Sequence, residues 1–259
     1  MTRALYTAAT GMQAQQLKID VIANNLANVN TDGFKKSRAT FQDLVYQTLT
    51  TAQPDAGTGT VNGIQVGLGS RPQSTARDFR EGSLRNTGNQ LDLAITGEGF
   101  MQVRLPSGEV AYTRNGALSL DAEGRLRTQQ GYLLEPEVVV PPEVGDLSIS
   151  PEGVVSVRTE ADNEIIELGQ LELVTTVNKS AFEGIGENLY RLEGDSRDLL
   201  IGTPGTEGFG RLQQGFLEGS NVQVVEEMIA MISGQRAYEA NSRVIRTSDE
   251  MMQETNRLR

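Results

Sequence analysis

Apolar residues recur at a seven-residue interval near both ends of this 259-residue chain. This interval places side chains along one face of a helix, and it is typical of helices that pack lengthwise. We therefore predict a long helix at each end, with an apolar seam that packs against the other helix and against neighbouring copies of the chain. The predicted seam residues are Leu5, Met12, Ile19, Ile22, Leu26, Val224, Met231, Tyr238, Ile245 and Met252.

The pattern changes to an alternation of apolar and polar residues between Ile64 and Gly210, which predicts strands. In ALSLDAEGRLRT the loop from Asp121 to Gly124 ends in a glycine, as a hairpin requires. All eight prolines lie between Pro54 and Pro204, so both ends can form unbroken helices. The middle is therefore predicted to be an antiparallel β domain inserted between two helices.

The segment from Thr50 to Gly63 is rich in Thr, Gly and Pro, and it predicts a long loop or extended arm. The expected fold class is α+β, in which long terminal helices form a coiled-coil-like α domain beside the inserted antiparallel β domain and the arm. The expected domains are a terminal helical domain (1–33 and 217–259), a connecting region (34–90) that contains the arm (46–63), and the β domain (91–216).

The chain is acidic, with 23 basic and 34 acidic residues and a net charge of −11. Residues 1–45 carry +2 and residues 217–259 carry −2, and since these cancel, the middle carries a net charge of −11, equal to that of the whole chain. A nucleic-acid partner is not expected, because no dense basic run is present. Cysteine and histidine are both absent, which removes disulfides, thiolate sites and the commonest metal ligand.

The chemistry left to the chain is sparse, and we predict no catalytic, cofactor-binding or metal-binding residues. The sequence has no phosphate loop, and a serine triad is excluded without histidine. Carboxylates in the β region, such as Glu98 or Asp121, leave a hydrolase that acts on peptidoglycan as an alternative, although tryptophan, the usual platform for sugars, is absent. The sequence contains no run of 18 apolar residues, so no membrane span is predicted. The first residues also lack the features of a cleavable secretory signal, so none is expected.

Three long stretches resemble one known family. The opening ALYTAATGMQAQQLKIDVIANNLANVNTDGFKKSRATFQDL, the central LDLAITGEGFMQV with YTRNGALSLDAEGRLRTQQGYLL, and the terminal LEGSNVQVVEEMIAMISGQRAYEANSRVIRTSDEM are similar to the bacterial flagellar rod and hook proteins, the axial family. The resemblance implies a non-enzymatic subunit that assembles helically into a rigid hollow drive shaft, transmits torque from motor to hook and encloses the export channel.

Within that family, GLGSRPQSTARDFREGSLRNTGNQLDLAI and the short length are most similar to subunits of the distal rod, and a proximal rod subunit is the nearest alternative. The resemblance also implies that the arm stiffens the rod. The arm residues are Tyr46, Gln53, Pro54, Gly57, Gly59 and Gly63.

The partners and location follow from the same resemblance. The implied partners are other copies of the chain, proximal rod proteins, the hook protein, the ring proteins of the peptidoglycan and outer membrane, and the flagellar export apparatus. The implied location is the flagellar basal body, in a rod that crosses the periplasm to the outer membrane, after export without a cleaved signal. Outside this family, a surface adhesin with a helical stalk is a further alternative.

Overall fold

The computed structural model describes residues 2–50, 64–141, 144–159, 165–192 and 199–257. Helix α1 spans Thr2–Ala27 and helix α2 spans Val224–Arg257, with a short 3₁₀ helix at Lys179–Ala181. In chain order the strands are β1 (Ser37–Asp43), β2 (Tyr46–Thr50), β3 (Ile64–Gly67), β4 (Ser70–Arg77), β5 (Leu84–Asn86), β6 (Leu93–Thr96), β7 (Met101–Arg104), β8 (Val110–Thr113), β9 (Leu118–Leu120), β10 (Leu126–Thr128), β11 (Leu133–Glu135), β12 (Val144–Ile149), β13 (Val154–Thr159), β14 (Ile165–Gln170), β15 (Leu173–Thr176), β16 (Phe182–Gly186), β17 (Leu189–Leu192), β18 (Leu199–Gly202), β19 (Arg211–Gln214) and β20 (Phe216–Glu218).

The chain divides into two compact units. One unit, which we call the helix unit, comprises residues 1–27, 37–78 and 223–259. The other, which we call the sheet unit, comprises residues 28–36 and 79–222. The helix unit contains ten basic and ten acidic residues, whereas the sheet unit contains 13 basic and 24 acidic residues. The entire net charge of −11 is therefore carried by the sheet unit.

The helix unit combines the two helices with four strands. Helix α1 packs against α2, β1 pairs with β4, and β2 pairs with β3, both antiparallel. Helix α2 begins after Gln223, whose carbonyl accepts a hydrogen bond from the amide of Glu227, and two glutamates complement the helix dipole in its first turn.

The sheet unit is built on a seven-stranded antiparallel sheet in the order β16-β17-β8-β7-β11-β10-β9. The predicted hairpin is confirmed, since β9 pairs with β10 and Gly124 has a φ of 79°. A separate cluster of aromatic rings has neighbouring centroids 4.6 to 6.4 Å apart. Its members are Phe79, Phe100, Tyr112, Phe182 and Tyr190. The larger core cluster includes Leu93, Ile95, Met101, Val103, Leu126, Val155 and Leu173.

The expected fold class, α+β with a coiled-coil-like α domain, is wrong. Strands account for about 41% of the structure and helices for about 27%. Strands β1 and β4 pack against α1, and they belong to the same compact unit as both helices, so the helices form no α domain of their own. The buried residues of α2 are Glu227, Gly234 and Ser248, so no row of large apolar side chains is enclosed there as a coiled coil requires.

Candidate assembly surface

Helix α1 packs against α2 in the helix unit, and the residues of α2 that are buried are small or polar, namely Glu227, Gly234 and Ser248. A Cβ atom added to Gly11 would lie 2.9 Å from Nδ2 of Asn241, and one added to Gly234 would lie 3.1 Å from Cγ1 of Ile19. Each glycine therefore brings the backbone of one helix close to a side chain of the other. A glycine inside a helix costs about 1 kcal/mol relative to alanine, and close helix packing explains that cost here.

Asn25 fixes the end of α1 with three hydrogen bonds. Its Oδ1 accepts from the amide of Ser37 at 2.9 Å, and its Nδ2 donates to the carbonyl of Ser37 at 2.9 Å and to Oε2 of Glu227 at 3.2 Å. One buried side chain thus joins the last turn of α1, the start of β1 and the first turn of α2. Sequence reasoning missed both Asn25 and Glu227, because neither belongs to an apolar repeat.

The predicted seam residues lie at different depths in the helix unit. Ile22 is buried, and Val224 and Tyr238 remain 41% and 40% exposed. The other seven are half-buried, namely Leu5, Met12, Ile19, Leu26, Met231, Ile245 and Met252. The seam is therefore not enclosed within one chain, and its packing against other copies stays a prediction.

A second apolar stripe on α2, which the sequence analysis missed, is exposed. We call it the outer stripe and define it as Val225, Met228, Ile229 and Ile232. Its members are spaced at i, i+3, i+4 and i+7, which places them on one face of the helix. Val225 is 70% exposed and Ile229 is 63% exposed. The same spacing in the sequence is the signal that could have found them.

Of the predicted arm, Tyr46 lies within the described residues, and Gln53, Pro54, Gly57, Gly59 and Gly63 lie outside them. Tyr46 opens β2 opposite Gly67 of β3, and its ring lies 3.4 Å from the position of a Cβ at that glycine. A hydrogen bond with Asp43 raises the pKa of Tyr46. Its side chain is more than half exposed on this strand pair, and so are those of Leu49 and Ile64.

The sheet unit contains a fully buried ion cluster centred on Glu218. Its carboxylate accepts from Nζ of Lys35 at 2.5 Å, from Nε of Arg114 at 2.8 Å and from the amide of Gly82 at 2.9 Å. The side chains of Lys35 and Glu218 are 0% exposed. We call Lys35, Arg114 and Glu218 the Glu218 cluster.

The remaining donors of the cluster are directed at backbone carbonyls. Lys35 also donates to the carbonyl of Arg80 at 2.6 Å. Arg114 donates to three carbonyl oxygens, that of Ile95 in β6 and those of Gly97 and Gly99 in the loop that follows. Buried charges need such partners, because an ion removed from water without them is strongly destabilising.

The charges of the cluster shift one another's pKa values. Burial alone would raise the pKa of Glu218, but the Arg114 guanidinium and the Lys35 ammonium outweigh burial and hold the pKa below its ordinary value of 4.5. Burial lowers the pKa of Lys35, and the nearby Arg114 lowers it further. Glu218 therefore stays ionised and links both cations.

The carboxylates considered for a hydrolase are engaged separately. Glu98 pairs with Lys179, and Asp121 accepts hydrogen bonds from the backbone and side chain of Arg125 within its hairpin. Across the described ranges, no group of three or more acidic, histidine or cysteine side chains could hold a metal ion. Neither of the two described helices is long and apolar enough to span a membrane.

Family models match three parts of the chain. A model described as the flagellar hook protein FlgE/F/G D1 domain matches residues 94–157, within the sheet unit. A model of the flagellar basal body rod FlgEFG protein C-terminal matches residues 213–258, and one of the flagella basal body rod protein matches residues 5–35. The two terminal matches include α2 and most of α1, and all three members of the Glu218 cluster fall in matched segments.

Whole-chain comparison gives the same family. The flagellar basal-body rod protein FlgG of Borreliella burgdorferi is 48% identical, over 100% of this chain and 99% of the relative. Those of Caulobacter vibrioides and Bacillus subtilis are 44% and 40% identical, over 99% and 98% of both chains, respectively. The rod protein FlgF of Caulobacter vibrioides is 33% identical, over 97% of this chain and 95% of the relative.

Proposed function

Because this chain belongs to the family of flagellar basal-body rod proteins, it is a structural subunit of the basal body, and we propose that copies of it assemble helically into the distal rod. In this proposal the rod is rigid and hollow, transmits torque from motor to hook and encloses the export channel. The similarity to FlgG (44%) exceeds that to FlgF (33%) within one organism, which favours the FlgG position in the rod.

The observation that supports self-assembly most directly is the distribution of side chains on α2. The face buried within the chain is small or polar, whereas the outer stripe leaves four large apolar side chains in water. Burial of apolar surface stabilises an interface by about 25 cal/mol per Å². We infer that other copies of the chain cover the outer stripe and the half-buried seam. Assembly would then bury apolar surface that stays exposed when one copy folds alone.

The distribution of charge also supports assembly through the helix unit. The helix unit has equal numbers of basic and acidic residues, so copies can approach through it without net repulsion. We propose that the helices form the inner layer around the channel and the acidic sheet unit the outer surface. The neighbours in this proposal are the proximal rod proteins, the hook protein and the two ring proteins, and the flagellar export apparatus delivers the subunit to them.

Two measurements test the proposal. Purified full-length chain at rising concentration should form straight tubular filaments, visible by electron microscopy, above a critical concentration. Gold-labelled antibodies against the chain should mark the part of isolated basal bodies next to the hook. A chain that remains monomeric at millimolar concentration would contradict self-assembly, and label confined to the motor end would favour the proximal rod instead.

The predicted seam and arm have separate tests within this proposal. Polar substitutions at Met231 and Ile245 should raise the critical concentration if the seam packs against other copies. Deletion of residues 51–63 should leave the filaments able to form but more curved, if the arm stiffens the rod. Persistence length measured from electron micrographs would decide the second point.

A further inference from the structure

The Glu218 cluster lies where the chain passes from the helices into the sheet unit. Lys35 follows α1 by eight residues and Glu218 precedes α2 by six. The backbone is joined at the same place, because the amide of Gly33 donates to the carbonyl of Glu218 at 2.7 Å. The segment that leaves α1 and the segment that enters α2 are thus fastened to each other inside the sheet unit.

A second pair of bonds repeats this connection. The amide of Lys36 donates to Oδ1 of Asn221 at 2.8 Å, and Nδ2 of Asn221 donates to the carbonyl of Arg80 at 3.1 Å. Gly82, which donates to Glu218, belongs to the same segment as Arg80. Three stretches of chain, residues 33–36, 80–82 and 218–221, therefore meet around one carboxylate.

A buried ion cluster is weak evidence for added stability, since apolar replacements often stabilise as well. Its best attested role is to favour one arrangement of chain segments over alternatives of similar energy. This chain has such an alternative. In a polymer of identical copies, α1 could pair with the α2 of its own chain or with that of a neighbour, through the same small and polar contacts.

The helix contacts cannot distinguish these two pairings, because the paired residues are identical in both. Exchange of identical elements between copies is a low-cost route to intertwined oligomers. Any preference must therefore come from the connections that hold the helix ends together. With the cluster intact, five residues lie between Ala27 and Gly33 and five between Glu218 and Val224, and such short links give a millimolar effective concentration.

We propose that the Glu218 cluster determines that α1 pairs with the α2 of its own chain during assembly. Glu218 is the positioning residue, and its carboxylate is held by ion pairs with Lys35 and Arg114. The inference rests on the proposed self-assembly, because without neighbouring copies no exchange can occur. It concerns which helices pair, not whether the chain polymerises.

Engineered cysteines can report the pairing, because the chain contains none of its own. A Cβ at Gly11 would lie 3.4 Å from Cγ of Asn241, so cysteines at both positions face each other within disulfide reach. The reporter chain carries Gly11→Cys and Asn241→Cys, and it is assembled reduced and then oxidised. Pairing within a chain gives cross-linked monomers on a non-reducing gel, whereas pairing between chains gives ladders.

Three variants of the reporter chain are compared. Glu218→Gln removes the charge at the centre, and a triple variant, Lys35→Met with Arg114→Met and Glu218→Leu, replaces the cluster with apolar side chains. Glu183→Gln is the matched control, since Glu183 forms an ion pair with Arg191 that is 52% exposed on both sides.

We expect the unmodified cluster and the Glu183→Gln control to give cross-linked monomers. Both cluster variants should show an increase of about tenfold or more in the intermolecular fraction, because the loss of the clamp lowers the effective concentration of the chain's own helix. Cross-links that stay intramolecular in a variant whose sheet unit remains folded would overturn the proposal.

The remaining outcomes are also decisive. If neither cluster variant folds its sheet unit, as judged by the near-ultraviolet signal of the aromatic cluster, the ions serve general stability and the pairing role is wrong. If the reporter chain with an intact cluster fails to polymerise when reduced, the result contradicts the proposed self-assembly, on which the pairing role depends. Filaments that form with unchanged cross-links would refute the pairing role alone.

Discussion

Ile229→Ala should raise the critical concentration for assembly about tenfold, whereas Ile165→Ala should leave it within about twofold. Both isoleucines are 63% exposed in the single chain, but Ile229 lies in the outer stripe of α2 and Ile165 lies on β14 of the sheet unit. The two substitutions remove the same three carbon atoms from sites of equal exposure. A difference between them would therefore reflect what covers each site in the polymer.

The magnitude follows from the exposed fraction of Ile229. Truncation to alanine removes three carbons, and each is worth about 0.8 kcal/mol when fully buried. Because 63% of the side chain is still exposed, a neighbour can bury that share, which gives about 1.5 kcal/mol, or roughly tenfold in an association constant. Alanine also has a higher helix propensity than isoleucine, so the substitution does not weaken α2 itself.

Sedimentation of filaments from a concentration series measures the critical concentration directly. Circular dichroism of the unassembled variants should match that of the parent chain, which excludes misfolding as the cause. Equal shifts for Ile229→Ala and Ile165→Ala would refute the reasoning, because assembly would then not distinguish the helix surface from the sheet surface. An unchanged critical concentration for Ile229→Ala would remove the outer stripe from the interface.

Three further predictions concern one chain alone. Glu218→Gln should destabilise the sheet unit by about 3 to 5 kcal/mol, because it leaves the Lys35 ammonium buried without its counter-charge. The exposed control Glu183→Gln should cost under about 1 kcal/mol. Urea unfolding followed by near-ultraviolet circular dichroism measures both free energies. The depressed pKa of Glu218 means that its stabilisation is present above pH 4.5 and is lost as the pH falls below that value, so acid titration should destabilise the parent chain more than Glu218→Gln. Gly234→Leu should separate the two helices, because even a Cβ at this position lies 3.1 Å from Ile19, and limited trypsin digestion should then cleave α1 faster than in a Gly234→Ala variant.

The seven-residue repeat was sufficient to predict both terminal helices, but not the face of α2 that meets α1. Four positions at the same interval, Glu227, Gly234, Asn241 and Ser248, run beside the predicted apolar seam. Three of them are buried, and Asn241 faces Gly11. The seven-residue repeat pointed to the row with the most apolar residues. The row of α2 that is buried in the helix unit instead has small or polar side chains, which allow close packing of the two helices.

Strand prediction succeeded where alternation was regular and failed where it was not. The hairpin at Asp121–Gly124 has apolar residues at every second position and the glycine that its turn requires. β1 and β4 read SRATFQD and SRPQSTAR, which contain few apolar residues and no clear alternation. Their pairing within the helix unit depends on contacts with α1 that local sequence does not encode, and the expected α domain was wrong for that reason.

The Glu218 cluster could not be predicted from spacing, because its members are separated by 79 and 104 residues. A lysine, an arginine and a glutamate in an acidic chain form no motif. Yet each of the three family-like stretches contributes one of them, in TDGFKK, YTRNG and LEGSN. The structure shows that these three stretches meet at one buried carboxylate, and neither the burial nor the contact is encoded in any one of them.

The arrangement of polar and apolar residues on α2 suits a subunit that must exist both alone and in a polymer. Had the apolar side chains been placed between α1 and α2, the single chain would be more stable and assembly would gain little. Because the buried residues of α2 are small or polar, the apolar surface of the outer stripe and part of the seam stays exposed in one chain, and in the proposed assembly neighbouring copies cover it. In that proposal each added copy contributes further buried apolar surface, while the net charge, confined to the sheet unit, discourages association through the sheet unit.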